Sequence, residues 1–426
     1  MLLIHALYNL LLTLLVIPAA AYLAIHPKHR PLLHRFRPFI APTLKAGAIW
    51  VHAASLGEVN TARPIVTALR ERYPEASIVL TTSTVTGMAQ ANDLPDVDGI
   101  AWFPFDHPWS VAGFLERLKP AHLILIETEL WPNVLFHARK RTTVVSLVNG
   151  RLSEKHFGGY LRAAPLLRPA IESIQLAGMQ SALDAERIQR LGLRADAVHV
   201  LGNTKFDGAI TQVDSAITNS LREHCGIEST ASVLIFGSTR PGDEALAVEC
   251  WEYLRERVTG LRLIIAPRHI QRTQEIVGQL ERYSLLLRST TKAPQTEHVE
   301  ATSDERPIIL LDTVGELVHF YALADVAVVG GSFSDDVQGH NPIEPAALGV
   351  ATVFGPCMKN FHVPAAMLVE AEGATQVSCA DDLPAQLQAL FVDDDCRNVM
   401  GQHGQIAVQQ NTGAIEGFLK HFDALR

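Results

Sequence analysis

The stretch "WVHAASLGEV", residues 50–59, places a carboxylate where it could take a proton from a substrate. An apolar run stops at Gly57, and Glu58 follows in what the sequence predicts to be the first turn of a helix. An acid there complements the helix dipole by about 0.3 to 1 kcal/mol, and that alone can account for its position. Yet a loop at the carboxyl end of a parallel strand faces a ligand crevice, and the dipole would keep Glu58 ionised, as a general base must be. Both interpretations stay open from the sequence.

Two further acids follow the apolar run in "LIETELWPN". On an extended chain, residues two apart point the same way, so either Glu127 or Glu129 could enter the same crevice. The alternative is a solvated turn or the N-cap of a helix. "GNTKFD" (202–207) puts Lys205 near a predicted domain boundary, although a single lysine is usually a solvated surface group.

The second half of the chain contains several candidate anion-binding turns. "GSTRPGDE" (237–244) could bind an anion where a helix starts, but it lacks the spacing of a P-loop. "APRH" places Arg268 and His269 just beyond a strand. "DTVGEL" (312–317) and "GHNPIEPAALG" (339–349) each set Gly or Pro before a helix, where backbone N–H groups are free to bind an anion.

Glu344 falls in the first turn of the helix predicted after "HNP", a position suited to a carboxylate that accepts sugar hydroxyls. Structural capping explains each of these turns taken singly, but their occurrence at successive strand ends favours a binding edge. Acidic runs at 334–336 and 393–395 have no partnering ligand cluster, and the 18 histidines show no H-E-x-x-H or comparable spacing. The sequence therefore predicts no metal site.

The elements that position these residues alternate along the chain. "AIWVHAAS" is typical of a buried strand, "EVNTARPIVTALRERY" of a helix, and "SIVLTTST" of the next strand. The same alternation restarts after about residue 210, with "SVLIFGS" and "LRLIIAP" as strands. This pattern predicts α/β architecture with two doubly wound parallel sheets and a cleft between the two domains. Residues 288–306 are polar enough to predict a mobile loop.

Composition narrows the function classes. The chain of 426 residues is 48% hydrophobic, which fits a folded protein of two domains. A net charge of −9, with no helix-length block of Lys and Arg, gives no reason to expect nucleic acid as a partner. Five widely spaced cysteines without a C-x-x-C arrangement fit a reducing, cytosolic environment.

The first 25 residues contain no charged side chain and are long enough for a membrane helix. A signal peptide is the alternative, but no Lys or Arg precedes Lys28, as a signal peptide would require. Lys28, Arg30, Arg35 and Arg37 follow the apolar run and predict that this flank is cytoplasmic. We therefore expect an uncleaved anchor over 1–26, a first domain over 27–209 and a second over 210–426. The last helical stretch either closes the second domain or crosses back to the first.

Taken together, the motifs resemble those of one family, the membrane-associated Kdo (3-deoxy-D-manno-octulosonic acid) transferases of lipopolysaccharide synthesis, which are inverting GT-B glycosyltransferases. The matching stretches run in order from about residue 50 to 350 and are "HAASLGEV", "TTSTVTG", "PFDHPWSV", "ETELWPN", "NGRLSEK", "GNTKFD", "GSTRPGDE", "APRH", "DTVGEL", "GGSF" and "GHNPIEPAALG". The N-terminal anchor matches as well.

The resemblance implies CMP-Kdo as donor, a lipid A precursor (lipid IVA) as acceptor, no cofactor, and a position at the cytoplasmic face of the bacterial inner membrane. It implies that Glu58 is the general base and that Glu127 and Lys205 stabilise the transition state. The residues that it implies for CMP binding are Pro267, Arg268, Gly315, Glu316, Leu317, Asn341, Pro342, Ile343 and Glu344. One departure is Gln338 with an acidic pair before it, where relatives commonly have a Gly-rich, less acidic link.

Two alternatives remain beside this interpretation. A nucleotide-sugar epimerase of GT-B shape would share the "HNPIEP"-like carboxylate but would need no lipid anchor. A membrane-tethered binding protein would have degenerate sites, against which the intact acidic and basic positions argue.

Overall fold

The computed structural model describes residues 2–41, 44–291 and 306–425. The chain forms two compact units, one of Met1–Gly208 with Asn411–Arg426 and the other of Ala209–Gln410. The border after Gly208 lies one residue from the position at which the sequence pattern changes.

The first unit is built on a parallel sheet of seven strands in the order β3-β2-β1-β4-β5-β6-β7. The strands are β1 (Ile49–His52), β2 (Ile78–Thr82), β3 (Gly99–Trp102), β4 (His122–Ile126), β5 (Val144–Gly150), β6 (Ile174–Met179) and β7 (Val198–Val200). β1 and β4 are buried at every position. Strands covered on both faces read as continuous apolar runs, which is why the sequence predicted them well.

Helices pack on both faces of this sheet. The helices of the first unit before residue 208 are α1 (Leu2–Ile25), α2 (Leu56–Arg72), α3 (Val85–Ala91), α4 (Pro108–Leu118), α5 (Pro132–Lys140), α6 (Glu154–Ile171) and α7 (Ala182–Arg190). Successive residues of β1 enter different cores: Trp50 packs in one cluster, and Ile49 and Val51 in the other. This alternation follows from the two-residue period of a strand.

The second unit repeats the plan with a parallel sheet in the order β10-β11-β9-β8-β12-β13-β14. Its strands are β8 (Val233–Thr239), β9 (Arg262–Pro267), β10 (Leu285–Leu287), β11 (Ile308–Leu310), β12 (Val326–Val329), β13 (Ala351–Phe354) and β14 (Ala374–Gln376). Its helices are α8 (Ser215–His224), α9 (Asp243–Arg255), α10 (Thr273–Gln279), α11 (Leu317–Tyr321), α12 (Ile343–Ala347), α13 (His362–Glu370), α14 (Leu383–Val392) and α15 (Asp394–Gln410). The expectation of two doubly wound parallel sheets is confirmed.

The last helical stretch of the sequence divides into two helices that belong to different units. α15 stays in the second unit, whereas α16 (Ala414–Asp423) belongs to the first. Gly413 breaks the helix with φ 98°, a left-handed conformation that glycine adopts without strain. Phe418 and Phe422 of α16 join the core beside Ile49 and Val51.

Of the segment predicted to be a mobile loop, Arg288–Thr290 forms a short 3₁₀ helix. Residues 292–305 lie outside the described residues.

Candidate active site

Glu58 lies in the first turn of α2, directly after the carboxyl end of β1. The Ser55 side chain caps the helix by accepting from the Glu58 N–H at 3.4 Å. In return, the Glu58 carboxylate accepts from the Ala54 N–H at 2.7 Å and from the Ser55 hydroxyl at 3.0 Å. This reciprocal arrangement resembles a capping box, so Glu58 does stabilise the helix terminus.

The surroundings of Glu58 also change the pKa of its carboxyl group. Burial, followed by the nearby Glu129, raises the pKa of Glu58 to about 7, with a smaller contribution from Glu127. The hydrogen bonds from Ala54 and Ser55 oppose this shift without cancelling it. The expectation that the helix dipole keeps Glu58 ionised therefore gives an incomplete picture, because burial and, after it, two carboxylates from another loop favour the protonated form. A carboxyl with a pKa near neutrality is suited to accept a proton at physiological pH.

The two acids of "ETELWPN" lie in the loop between β4 and α5. The sequence argument assumed an extended chain here. The loop is instead bent, since Glu127 adopts a left-handed conformation with φ 59°. A non-glycine residue there is uncommon, and such conformations cluster at functional sites. The Trp131 indole donates to the Glu129 carboxylate at 2.7 Å, and burial raises the pKa of Glu129. Both acids influence Glu58, so the structure brings the three carboxylates together.

Two basic residues beside this cluster were not singled out as site residues in the sequence. His52 is fully buried at the end of β1, and its ring stacks on Phe103 with centroids 3.6 Å apart. Its Nε2 lies 3.9 Å from a carboxylate oxygen of Glu129. Burial lowers the pKa of His52 to about 3, so this imidazole is neutral at physiological pH.

Arg35 is the second of these residues, and the sequence offered it only as part of the basic membrane flank. Its Nε donates to the Phe103 carbonyl at 3.0 Å, and its guanidinium stacks on the Phe105 ring. Burial lowers the pKa of Arg35 to about 10, and its charge in turn acts to lower the pKa of Glu129. Arg35 thus lies close to the carboxylate cluster rather than free in solvent. In the sequence, Arg35 is one of several basic residues after the apolar run, and nothing there indicates that it lies near the carboxylates.

Lys205 lies in the turn that follows β7. The Thr204 N–H in this turn donates to the Asn149 side chain at the end of β5, at 3.1 Å. The Asp207 carboxylate accepts from the backbone N–H groups of Gly413 and Ile415 at the start of α16. These bonds fix the turn at the carboxyl edge of the sheet, the edge that also carries Glu58 and Glu127.

In the second unit, the carboxyl ends of β8 and β9 carry a basic cluster. The Arg268 N–H donates to the Thr239 carbonyl at 3.0 Å, and Pro267 pairs with Thr239 across a bulge. Within residues 2–41, 44–291 and 306–425, the Arg268 side chain has no hydrogen bond or ion pair. Its charge nevertheless helps to lower the pKa of His269 and of His340.

Arg240 joins this cluster, although the sequence offered only its surrounding motif. Its Nε lies 3.1 Å from the His340 Nε2, and its Nη1 lies 2.8 Å from the His269 Nε2. Burial, followed by Arg240, lowers the pKa of His340 to about 4. The two histidines are therefore neutral at physiological pH, and the two guanidinium groups supply the positive charge. Such a cluster is suited to bind a phosphate.

The turn from Asn341 to Glu344 follows His340 directly along the chain. The Asn341 side chain accepts from the Ile343 N–H at 3.1 Å and donates to the Glu344 carboxylate at 3.2 Å. α12 is a short helix that begins at Ile343, after Pro342. The sequence analysis expected the backbone N–H groups at this helix start to bind an anion, but the Ile343 N–H is already bonded to the Asn341 side chain. Burial raises the pKa of Glu344, while Asn341 and Arg268 act to lower it.

The segment Gly315–Leu317 lies at the start of α11. Gly315 has φ 85°, a conformation that favours glycine. The Glu316 carboxylate accepts from Arg288 at 2.8 Å and also from the Thr313 hydroxyl. Burial alone would raise the pKa of Glu316, but these hydrogen bonds hold it below its ordinary value. The Glu316 side chain is thus engaged within the unit, which leaves the backbone of the segment as its available surface.

The loop around Gln338, where the sequence departs from the family pattern, is closed by backbone hydrogen bonds. Gln338 has φ 62°, and the Gly339 and His340 N–H groups donate to the carbonyls of Gly331 and Gly330. This closure brings His340 to Arg240. Beside the loop lies an open cavity of about 750 Å³, lined by Asp335, Gln338, Lys359 and His362 among others. It does not include the residues predicted to bind CMP, and the described residues contain no group of three or more His, Cys, Asp or Glu that could hold a metal ion.

The chain is similar in sequence to known sugar transferases. Residues 30–208 match the family model of 3-deoxy-D-manno-octulosonic-acid transferase (kdotransferase). A 3-deoxy-D-manno-octulosonic acid transferase of Haemophilus influenzae is 30% identical over 380 residues, covering 87% of this chain and 85% of the relative. One of Bordetella pertussis is 32% identical over 387 residues, covering 88% of this chain and 86% of the relative.

Solved structures resemble the chain in fold. A glycosyltransferase from Rickettsia africae superimposes with a TM-score of 0.55 at 10% identity, covering 89% of this chain and 98% of that one. A UDP-GlcNAc 2-epimerase from Neisseria meningitidis gives a TM-score of 0.55 at 12% identity, with coverage of 88% and 98%. The fold is therefore GT-B, and at these identities it does not distinguish a transferase from an epimerase.

Proposed function

Because this chain belongs to the family of 3-deoxy-D-manno-octulosonic acid (Kdo) transferases and is a glycosyltransferase that transfers Kdo, we propose that its donor is CMP-Kdo and its acceptor a lipid A precursor. Transfer proceeds with inversion at the anomeric carbon. The family assignment rests on sequence identity over most of the chain, which neither the epimerase nor the tethered binding protein explains.

The observation that carries the proposal is the carboxyl of Glu58, whose pKa of about 7 lets it accept a proton near neutrality. Glu58 takes the proton of the acceptor hydroxyl. The hydroxyl oxygen then forms a bond to the anomeric carbon of Kdo, and the bond from that carbon to the phosphate oxygen breaks. The electron pair leaves with CMP.

Glu127 and Lys205 assist this step in the proposal. Positive charge develops at the anomeric carbon as the leaving group departs, as in other glycosyl transfers. The Glu127 carboxylate counters that charge. The Lys205 ammonium balances negative charge on the donor.

The second unit holds the nucleotide. Arg268 and Arg240 bind the phosphate, and their charge stabilises the anion that leaves. Glu344 accepts the ribose hydroxyls, since a carboxylate directed at the phosphate would repel it. The backbone of Gly315–Leu317, together with Pro267 and the turn over 341–343, completes the nucleotide site.

We place the enzyme at the cytoplasmic face of the bacterial inner membrane. α1 is the single described helix that is long and apolar enough to cross a membrane, with Leu3–Ile25 averaging a hydropathy of 1.9. The basic residues that follow α1 favour a cytoplasmic flank. An acceptor embedded in lipid is met best by an enzyme at that surface.

Product analysis tests the proposal. Full-length protein in detergent is incubated with CMP-Kdo and a lipid A precursor, and the lipid products are analysed by mass spectrometry. We expect the acceptor to gain the mass of Kdo and CMP to be released in equal amount. Release of CMP without a modified lipid, or conversion of a nucleotide sugar to its epimer, would contradict the proposal.

A further inference from the structure

One face of α1 is less exposed than the rest over most of the length of the helix. The residues of α1 that are at least partly covered recur every three or four positions: His5, Tyr8, Asn9, Leu12, Val16, Ala20 and Leu23. This spacing defines one helical stripe, which we call the contact stripe. The other side chains over residues 3–25 are exposed.

The first half of the contact stripe is polar, and it bonds to buried polar groups. The Asn133 side-chain oxygen accepts from the His5 ring nitrogen at 2.8 Å, and the Asn133 amide nitrogen donates to the Asn9 side-chain oxygen at 2.8 Å. The Tyr8 hydroxyl donates to the Asp106 carboxylate, also at 2.8 Å. Asn133 is fully buried and Asp106 nearly so. Because buried polar groups without partners are costly, these contacts tie the start of α1 to the unit.

The same carboxylate also holds the start of α5. Asp106 accepts from the N–H groups of Asn133 and Val134 at 3.0 and 2.9 Å. A neighbouring contact joins Thr13 to the His107 ring at 3.0 Å. The polar part of the stripe is therefore bonded to the helix that directly follows the loop of Glu127 and Glu129.

The opposite face of α1 is apolar and uncovered. Leu7 is 65% exposed and Leu14 is 67% exposed. Trp109 is 49% exposed, and its ring is tilted against that of His107, the partner of Thr13, with centroids 5.3 Å apart. Tryptophan is enriched at the boundary between lipid and water.

Beyond the helix, Lys28 and Arg30 are exposed. Their charge complements the anionic surface of a bilayer. Apolar face, boundary tryptophan and basic flank all fit a bilayer surface as the partner.

We infer that α1 does not cross the bilayer but lies along its surface, with the contact stripe on the protein and the face of Leu7 and Leu14 in the lipid. The reason is geometric. Tyr8 lies about 27 Å along the helix axis from His26, at about 1.5 Å per residue. A crossing helix with a cytoplasmic basic flank would carry Tyr8 towards the far side of a core about 30 Å thick, away from Asp106 or with Asp106 inside the lipid. Either outcome breaks the bonds described above or buries their polar groups in hydrocarbon.

The inference rests on the proposed membrane location, and photocrosslinking tests the two separately. Benzoylphenylalanine is placed at the position of Leu14 or, in a second protein, of Val16, in the otherwise intact chain. Each protein is bound to vesicles of phosphatidylethanolamine and phosphatidylglycerol, separated by flotation and irradiated. We expect the probe at 14 to crosslink mainly to lipid, and the probe at 16 mainly to peptides of the first unit.

The outcomes distinguish the possible failures. If the protein does not float with the vesicles, the membrane location itself is wrong. If it floats and both positions crosslink lipid equally, the helix stands alone in the bilayer and the inference is wrong. Crosslinks from position 14 to a second copy of the chain would also overturn it, because another protein would then cover the apolar face.

A pair of milder variants guards against disturbance by the bulky probe. Tyr8→Phe removes the hydroxyl bonded to Asp106, whereas Tyr22→Phe removes a hydroxyl on the exposed part of the same helix. Thermal unfolding of the detergent-dispersed protein should shift to lower temperature in Tyr8→Phe and stay unchanged in Tyr22→Phe. Equal behaviour of the two variants would contradict a docked helix.

Discussion

The two units are both built on seven-stranded parallel sheets, but they carry opposite charges at the carboxyl ends of central strands. In the first, β1 is flanked by β2 and β4, and in the second, β8 is flanked by β9 and β12. The first unit gathers Glu58, Glu127 and Glu129 at the carboxyl ends of its strands, whereas the second gathers Arg240 and Arg268. Parallel sheets of this kind offer ligands the carboxyl ends of their strands, and the residue types at those ends favour a different chemistry in each unit.

The electrostatic effects differ in the same way. In the first unit, burial and neighbouring acids raise the pKa of Glu58 into the physiological range. In the second, burial and neighbouring arginines lower the pKa of His340 well below it. A group that titrates near pH 7 is suited to exchange a proton, and a constant positive charge is suited to hold an anion. We therefore expect changes in the first unit to alter turnover and changes in the second to alter donor affinity.

The largest effect should follow from Glu58→Gln, which keeps the shape of the side chain and removes its basicity. Turnover should fall by about a hundredfold or more, the usual scale for loss of a general base. Affinity for CMP, measured by calorimetry, should stay the same. Glu71→Gln, on the exposed end of the same helix, is the matched control and should behave as wild type. Near-normal turnover in Glu58→Gln would leave Glu58 with its capping role alone.

Arg268→Ala should weaken CMP binding by about tenfold or more, because one charge-assisted hydrogen bond contributes roughly 1.5 to 3 kcal/mol. Arg240→Ala should act in the same direction. Arg282→Ala removes an exposed arginine of the same unit and should have no effect. Titrations with excess chelator should give the same wild-type affinity. An unchanged affinity in Arg268→Ala would remove the basic cluster from the donor site.

The pH dependence of kcat/KM sharpens the comparison. A base with a pKa of about 7 is mostly ionised at pH 8 and mostly protonated at pH 6. Activity should therefore rise with pH through neutrality, by about tenfold between those two values. The residual activity of Glu58→Gln should lack this rise. An acid limb centred near pH 4.5 would mean that neither burial nor the neighbouring acids raise the pKa of Glu58.

The smallest effect concerns stability. Folding raises the pKa of Glu58 from 4.5 to about 7, so the folded state holds this proton more tightly than the unfolded state does. Stability from this group is present below pH 4.5 and is lost as pH rises towards 7. Glu58→Gln should therefore unfold at a higher temperature than wild type at pH 8, with a smaller gain at pH 5. A gain that is independent of pH would point to packing or capping instead.

Much of the fold followed from the sequence by itself, because its signals are local. Buried parallel strands are continuous apolar runs, and their alternation with helices predicted both sheets. The same logic placed Glu58, Arg268 and Glu344 after strands, where the structure has them. Their roles in transfer stay predictions, as do those of Glu127 and Lys205.

Tertiary structure alone decided which distant residues meet. Burial, followed by acids from a loop about seventy residues away, raises the pKa of Glu58 to about 7. Arg240 meets His340 only because the loop between β12 and α12 closes on itself. Arg35 lies close to the carboxylate cluster although it belongs to the basic flank in sequence, and polar residues of α1 bond to Asp106 and Asn133. A sequence pattern reports a residue's own helix or strand, whereas a pKa or a hydrogen-bonded contact depends on neighbours that the path of the chain brings together.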